Sequence, residues 1–271
     1  MAGNPIVYFS YSRLSTYDHC QYRFKLQYID RLTKPDESIE AFVGKRVHET
    51  LEYLYQLRQE EKMVPVFDDL LVYYREQWVK HWHNRIGRVQ MRLPLTYYER
   101  LGEECIARYY RTSYPFTENV IGIEKEIEFL LDDDPQFRFK GIIDRIDQNP
   151  NDTVTITDYK TGKKALSQKQ ADSDLQLTIY QLGVEAAGLD TNQAILRWYF
   201  LQVGKIITSV RTPSQHTLLT RKVKQKAENI LEHVANGKSF LARETMLCNW
   251  CYFWEECPVK NATNPYVGNL K

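Results

Sequence analysis

The chain reads as α/β: a mixed central sheet flanked by helices, with a helical N-terminal part and a cysteine-bearing C-terminal tail. Three features lead there. Apolar residues recur at helical spacing from about Ser15 to Ser113, and a period of two takes over between Ile123 and Tyr159. A last helix, from about Pro213 to Asn236, then runs into a tail holding three of the five cysteines. No internal repeat or low-complexity tract interrupts the sequence. Residues 1–271 are therefore expected to form a single domain, with a mainly helical part (1–118), a sheet core (119–212) and a helix with its tail (213–271).

Taken in order, Ser15 can cap a helix that continues through Tyr22 to Tyr28. Gly44 precedes a stretch with His48, Leu51 and Tyr55 at helical spacing, and Pro65 closes it. Two amphipathic segments follow, from about Asp68 to His83 and from about Tyr97 to Tyr110. The second carries Leu101, Cys105 and Tyr109 four apart on one face, which makes Cys105 a buried core cysteine. Ile123, Lys125, Ile127 and Phe129 then alternate with Glu124, Glu126 and Glu128, a strand pattern. Two more β-rich stretches, about Phe137 to Asp147 and Thr153 to Tyr159, are separated by the turn formers Gln148-Asn-Pro-Asn-Asp152, giving a three-stranded meander. A helix from about Asp172 to Ala187 stops at Gly188, and a strand from about Ala194 to Val203 pairs with Lys205 to Thr212 across Gly204.

Composition narrows the function. Thirty-six basic against 35 acidic side chains leave a net charge of +1, so any nucleic-acid surface must be local. With 43% hydrophobic and 26% charged residues, disorder and collagen are excluded. Apolar runs such as Trp198-Tyr-Phe-Leu201 are far short of the roughly 18 residues that cross a bilayer, and Met1-Ala-Gly-Asn-Pro5 has no leader pattern. A cytoplasmic protein without a membrane partner is expected. No Gly-x-x-x-x-Gly-Lys-Ser/Thr run is present, so the chain is not itself an ATP-driven motor. Five cysteines are too few for a disulfide scaffold of this size and point to metal, catalysis or burial.

The most informative segment is Gly141-Ile-Ile-Asp144-Arg-Ile-Asp147 followed by Asp158-Tyr-Lys160-Thr-Gly162. In a strand Asp158 and Lys160 share a face with Val154 and Ile156, and Asp144 shares its parity with Ile142 and Ile146. Carboxylates on largely apolar faces need a partner. Two of them on adjacent strands make a hard-oxygen site for Mg²⁺ or Mn²⁺, and a lysine beside the second can orient water or stabilise developing negative charge. Phosphodiester hydrolysis has those needs. Each part also has a plainer reading. Asp158 and Lys160 pair with each other, His48 is a satisfied core histidine, Gln176 and Tyr180 are an ordinary pair four apart on a helix, and Glu126 is one of three solvated glutamates.

Together, Gly44-Lys-Arg-Val-His48, Gly141-Ile-Ile-Asp144-Arg145, Asp158-Tyr-Lys160-Thr-Gly162 and Gln176-Leu-Thr-Ile-Tyr180 resemble, in order, the nuclease motifs of the RecB-like branch of the PD-(D/E)XK superfamily. Tyr11-Ser-Arg-Leu-Ser-Thr-Tyr-Asp-His-Cys20 with Tyr22 and Phe24 also resembles that family's opening helix, although Gln21 stands where a proline is common. The resemblance implies a restriction-endonuclease-like core. It implies that His48, Asp144 and Asp158 bind Mg²⁺ or Mn²⁺ with help from the Tyr159 carbonyl, that Lys160 is the catalytic lysine, and that Gln176 and Tyr180 support the site or the DNA backbone. Glu126 on the preceding strand is a further candidate.

Cys248-Asn-Trp-Cys251 and Cys257 place three soft ligands within ten residues, and Cys20 is the obvious fourth. Spacing alone does not separate Zn²⁺ from an iron–sulfur cluster. Nucleases of AddB-type helicase-nucleases and of CRISPR adaptation are similar in placing one cysteine before the core and three after it. That resemblance implies a 4Fe-4S cluster stapling the first helix to the tail.

Lys160, Lys163, Lys164 and Lys169 follow the second acidic strand, and Arg221, Lys222, Lys224 and Lys226 lie on the late helix. Solvated faces explain such runs too. Lys163, Lys164 and Arg145 are the DNA-contact candidates. Trp250 and Trp254 can stack on single-stranded bases or form core around the cysteines. The expected function is a metal-dependent DNA nuclease, an exonuclease on single strands or ends, in repair, recombination or CRISPR adaptation, with DNA and a helicase or CRISPR-adaptation protein as partners. The alternatives are a non-catalytic DNA-binding or helicase-partner subunit, which predicts broken motifs, and a zinc-stapled enzyme acting on another phosphorylated substrate.

Overall fold

Ser10, not Ser15, opens the first helix, α1 (Tyr11–His19), by accepting the Arg13 N–H on its side chain at 3.3 Å. The computed structural model describes residues 6–60 and 64–267; Met1 to Pro5, read above for a leader, lie outside the described residues. At Cys20 the backbone turns extended, and the expected single helix resumes as α2 (Gln21–Phe24) and a π-helical turn (Lys25–Ile29). A two-residue strand β1 (Glu37–Ser38) leads into α3 (Ile39–Glu60), which carries His48, and then α4 (Phe67–His81). Next, β2 (Ile86–Gly87) pairs in parallel with β1, and α5 (Leu95–Ser113) completes a helical layer. The two short strands have no periodicity to read.

The main sheet is β3 (Asn119–Leu130), β4 (Arg138–Gln148), β5 (Val154–Lys160), β6 (Ile195–Phe200) and β7 (Lys205–Val210), in that spatial order. All neighbours are antiparallel except β5 and β6, whose crossover carries α6 (Gln168–Ala171) and α7 (Gln176–Ala186). The helix expected from Asp172 is α7, beginning at Gln176, and the short α6 before it lies outside that expectation. Ser167 and Gln170 form a capping box on α6, and Asp174 accepts the Leu177 N–H at 2.9 Å to start α7. Gly188 (φ +86°) closes that segment, and Gly204 (φ +66°) turns the last hairpin. The final helix is α8 (Pro213–Ala235), opened by Thr212 and Pro213. No helix among the described residues is long and apolar enough to cross a membrane.

Two apolar clusters lie on opposite faces of the sheet. One packs Phe139, Ile156, Leu196 and Trp198 against Leu177 and Ile179 of α7 and Val223 and Ile230 of α8. The other joins Tyr159, Tyr199 and Leu201 to Phe42, Leu51, Leu54, Tyr74, Ile106 and Tyr109 of the helical layer; it includes Cys105, a core cysteine whose thiol burial pushes up to about 12. Each fully buried side chain of this size stabilises by roughly 1.5–3 kcal/mol. The site forms where the alternation of faces inverts. Ile123 packs toward the helical layer while Ile127 and Phe129 pack toward α7 and α8, and Glu124 between them has φ +42°. Opposite, Ile143 faces the α7 side, Arg145 reaches tyrosines of the helical layer, and Asp144 lies between.

Candidate active site

Register brings the two aspartates together. The β4–β5 ladder ends at Arg145 opposite Thr157, so Asp144 and Asp158 face each other just beyond the last pair. Both are buried, at 9% and 2% exposure. In place of a main-chain bond there, Asp144 Oδ2 accepts the Tyr159 N–H at 2.6 Å. Ile142, expected on the same buried face, is 49% exposed, because the strand changes face at Asp144.

From α3, His48 reaches across to the same point. Its Nε2 lies 3.1 Å from the Tyr159 carbonyl oxygen and its Nδ1 3.5 Å from Asp144 Oδ1. Burial alone would lower the imidazole pKa, but the Asp144 carboxylate, with Asp158 and Glu124, carries it up to about 9. On the other side, Gln176 begins α7 directly over β5. Its Nε2 donates to Asp158 Oδ1 at 2.7 Å and to the Tyr180 hydroxyl at 3.0 Å, while its Oε1 accepts from Lys160 Nζ at 2.8 Å. Lys160 Nζ also lies 2.8 Å from Asp158 Oδ2. Burial pushes the Asp158 carboxyl up to about 6 despite the lysine beside it, and Asp144 adds to that rise. For Lys160 burial works downward, but Asp158 prevails and holds the ammonium above its ordinary value.

Glu124, rather than Glu126, joins this group. It lies opposite Asp144 in the β3–β4 hairpin, and ligating atoms of His48, Glu124 and Asp144 all lie within 4.8 Å of one another. Burial and the Asp144 charge push the Glu124 carboxyl up to about 7. Glu126 is exposed, in a recess shared with Tyr11, Gln176 and Tyr180. The missed glutamate had a signal: a hairpin centred on Asp134 pairs Asp144 with Glu124, ten residues to either side.

The residues fit a divalent cation. Ligating atoms of His48, Glu124 and Asp144 converge, and the buried Asp158 carboxylate lies beside them with the Lys160 ammonium 2.8 Å from its Oδ2. Hard oxygen donors with one imidazole suit Mg²⁺ or Mn²⁺.

The basic candidates separate. Lys163 and Lys164 are exposed just past Lys160, with Lys163 Nζ 6.0 Å from the centre of the Tyr97 ring. Arg145 is not a DNA contact: it is 2% exposed on the far face of the sheet, where Asp147 takes Nε and Nη2 at 2.9 Å. On α8, Lys224 and Lys226 are paired with Asp132 and Asp18. Cys20, Cys248, Cys251 and Cys257 line one cavity of about 370 Å³. Trp250 and Trp254 are half-buried beside it, their indole N–H groups donating to Glu40 and to the Cys248 carbonyl.

The chain is similar to known proteins in sequence and in fold. A subunit of the ATP-dependent helicase/deoxyribonuclease of Streptococcus uberis is 31% identical over 165 residues, which are 57% of this chain. The match spans only 14% of that relative's length. A crystal structure from Eubacterium rectale whose name proposes an exonuclease shares the fold, with a TM-score of 0.55 at 15% identity over 91% of this chain and 86% of that one. The profile of the PD-(D/E)XK nuclease superfamily matches residues 8–258, a span that includes every residue of the acidic site and all four clustered cysteines, and the chain belongs to that superfamily.

Proposed function

We propose that this chain is a metal-dependent deoxyribonuclease that hydrolyses phosphodiester bonds, working as an exonuclease on single-stranded DNA or DNA ends. One observation carries the reading: His48, Glu124, Asp144, Asp158 and Lys160 meet at the point where β4 and β5 diverge. A non-catalytic subunit retaining the fold has no need of that complete set. His48, Glu124, Asp144, Asp158 and the Tyr159 carbonyl would hold Mg²⁺ or Mn²⁺, which when bound supplies Lewis acidity and a lowered pKa for water. Lys160, charged at neutral pH and fixed by Asp158 and Gln176, holds its ammonium where a scissile phosphate gains negative charge. Tyr180 fixes the Gln176 amide that orients both groups. Lys163 and Lys164 provide phosphate compensation next to the site.

The cysteine cavity is read as a 4Fe-4S site. That Cys20, Cys248, Cys251 and Cys257 line one cavity supports a single site shared by all four. The likeness to part of a helicase/deoxyribonuclease subunit supports DNA and a helicase as partners.

The test is cleavage of end-labelled single-stranded DNA by anaerobically purified protein in Mn²⁺, Mg²⁺ or EDTA, beside Asp158→Ala. Metal-dependent cleavage, reduced at least a thousandfold in the variant with its melting temperature kept, is expected. Equal activity in the variant ends the assignment, and an inactive wild type moves it to a non-catalytic subunit.

A further inference from the structure

Each aspartate of the proposed site is followed in sequence by a residue whose side chain crosses to the opposite face of the sheet: Arg145 after Asp144, and Tyr159 after Asp158. There the two meet on one phenol. Arg145 Nη1 donates to the Tyr109 hydroxyl at 2.6 Å, and the Tyr109 and Tyr159 hydroxyl oxygens are 2.9 Å apart. Tyr55 on α3 closes the group, 2.5 Å from Tyr109 and hydrogen-bonded to Arg145, and Asp147 holds the rest of the guanidinium. Tyr55, Tyr109, Arg145, Asp147 and Tyr159 are all buried.

We propose that Tyr109 is a positioning residue for the metal ligands, acting through Arg145 and Tyr159; this rests on the metal-dependent reading above. The β4–β5 ladder stops at Arg145, so Asp144 has no main-chain partner on β5. Two side-chain links join the strands there. On the site face the Asp144 carboxylate accepts the Tyr159 N–H, and on the far face the Arg145–Tyr109–Tyr159 chain ties the same two strand segments together. β5 stays paired with β6 through Lys160, so without the far link only the near one ties the Asp144 segment of β4 to it, and the Asp144 carboxylate and Tyr159 carbonyl lose part of their mutual orientation. Tyr109 belongs to α5, so the helical layer becomes part of the site without touching substrate. Partners behind ligands are known to tune affinity in this way, with losses of about 10–100-fold when they are removed.

The test is Mn²⁺ binding to the full-length protein by titration calorimetry, with amide exchange at Tyr159 followed in the metal-free state. Tyr109→Phe should bind Mn²⁺ about 10–100-fold more weakly and exchange the Tyr159 amide faster, while saturating Mn²⁺ restores most of the turnover. Tyr159→Phe, which removes the other end of the link, should behave alike, and the double variant should lose little more than either single one. The control is Tyr74→Phe, which removes a comparable buried hydroxyl, donating to the Glu99 carbonyl at 3.2 Å in the same layer, and should leave Mn²⁺ affinity unchanged. Wild-type binding matched by Tyr109→Phe, or an equal loss in Tyr74→Phe, overturns the positioning role alone. A wild type that takes up no Mn²⁺ removes the functional reading and this inference together.

Discussion

Glu124 shows what assembling the site costs the metal-free protein. Its carboxyl, pushed up to about 7 by burial and by Asp144, binds its proton more tightly in the folded than in the unfolded chain, where such groups titrate near 4.3. The folded state therefore holds the extra proton between those values, and stability falls as pH rises through that window. Above pH 7 the penalty is complete, and below about 4 it vanishes. In EDTA at pH 8, Glu124→Gln should melt higher than wild type, by on the order of 2 °C, with the difference gone at pH 4. Added Mn²⁺ should reverse the order, since the variant lacks a ligand. A Gln variant that melts lower at pH 8 in EDTA would show that Glu124 is not repelled by its neighbours. At this scale strand parity draws attention to Asp144, Asp158 and Lys160, while His48, Gln176 and Tyr180 stand out only through the resemblance to the RecB-like motifs; the structure brings the six together. Glu124 and Arg145 were not legible in sequence, because a left-handed residue inverts the alternation in β3 and its partner strand follows, and simple parity assigns the wrong face beyond such a point.

Elements matter here chiefly through α7, which must lie close to the sheet for Gln176 to reach Asp158. Glycine makes that approach possible: a Cβ at Gly183 would stand 2.4 Å from Ile127 Cδ1 and 2.9 Å from its Cβ. Side chains cannot share that space, so a larger residue must lift the helix or displace β3. Gly183→Val should cost roughly 1–3 kcal/mol in chemical denaturation and weaken the bond from Gln176 to Asp158. Adding Ile127→Ala supplies the missing room, so the double variant should be more stable than the sum of its singles predicts, by about 1 kcal/mol or more. Strict additivity would place the contact elsewhere. The sequence announces α3, α4, α5, α7 and α8 by their apolar period, and the meander and last hairpin by turn formers. It does not announce the single turn of α6, nor the start of α7 at Gln176 rather than Asp172, which arises because Asp174 accepts the Leu177 N–H and caps the helix there.

For the whole molecule the question is how the segment after α8 is held against the rest of the chain. From Lys238 to Val267 the only helical stretch is a 3₁₀ turn, Met246–Trp250, and among the described residues of this tail Phe253 is the single buried apolar side chain. One aromatic side chain cannot offset the conformational entropy of ordering such a segment. Polar ties add something: the Tyr22 N–H donates to the Leu241 carbonyl at 3.1 Å, the Ser38 N–H to the Tyr252 hydroxyl at 3.0 Å, and the Arg88 N–H to the Tyr266 carbonyl at 2.9 Å. Net hydrogen bonds of this kind are worth roughly 1 kcal/mol each. On the proposed reading, a cluster held by Cys20, Cys248, Cys251 and Cys257 would add order to the tail by closing a loop across nearly the whole sequence. In the Cys251→Ser variant, iron and the visible absorbance of the protein should fall together, and proteolysis should begin within 238–267, about tenfold faster than in wild type. The sheet core should stay resistant, since its apolar clusters do not include the tail beyond Phe240. Wild type that is colourless and zinc-loaded when purified without oxygen would replace the cluster by zinc while leaving the staple in place. A variant as resistant as wild type would remove the staple itself and leave the tail held by its polar ties alone.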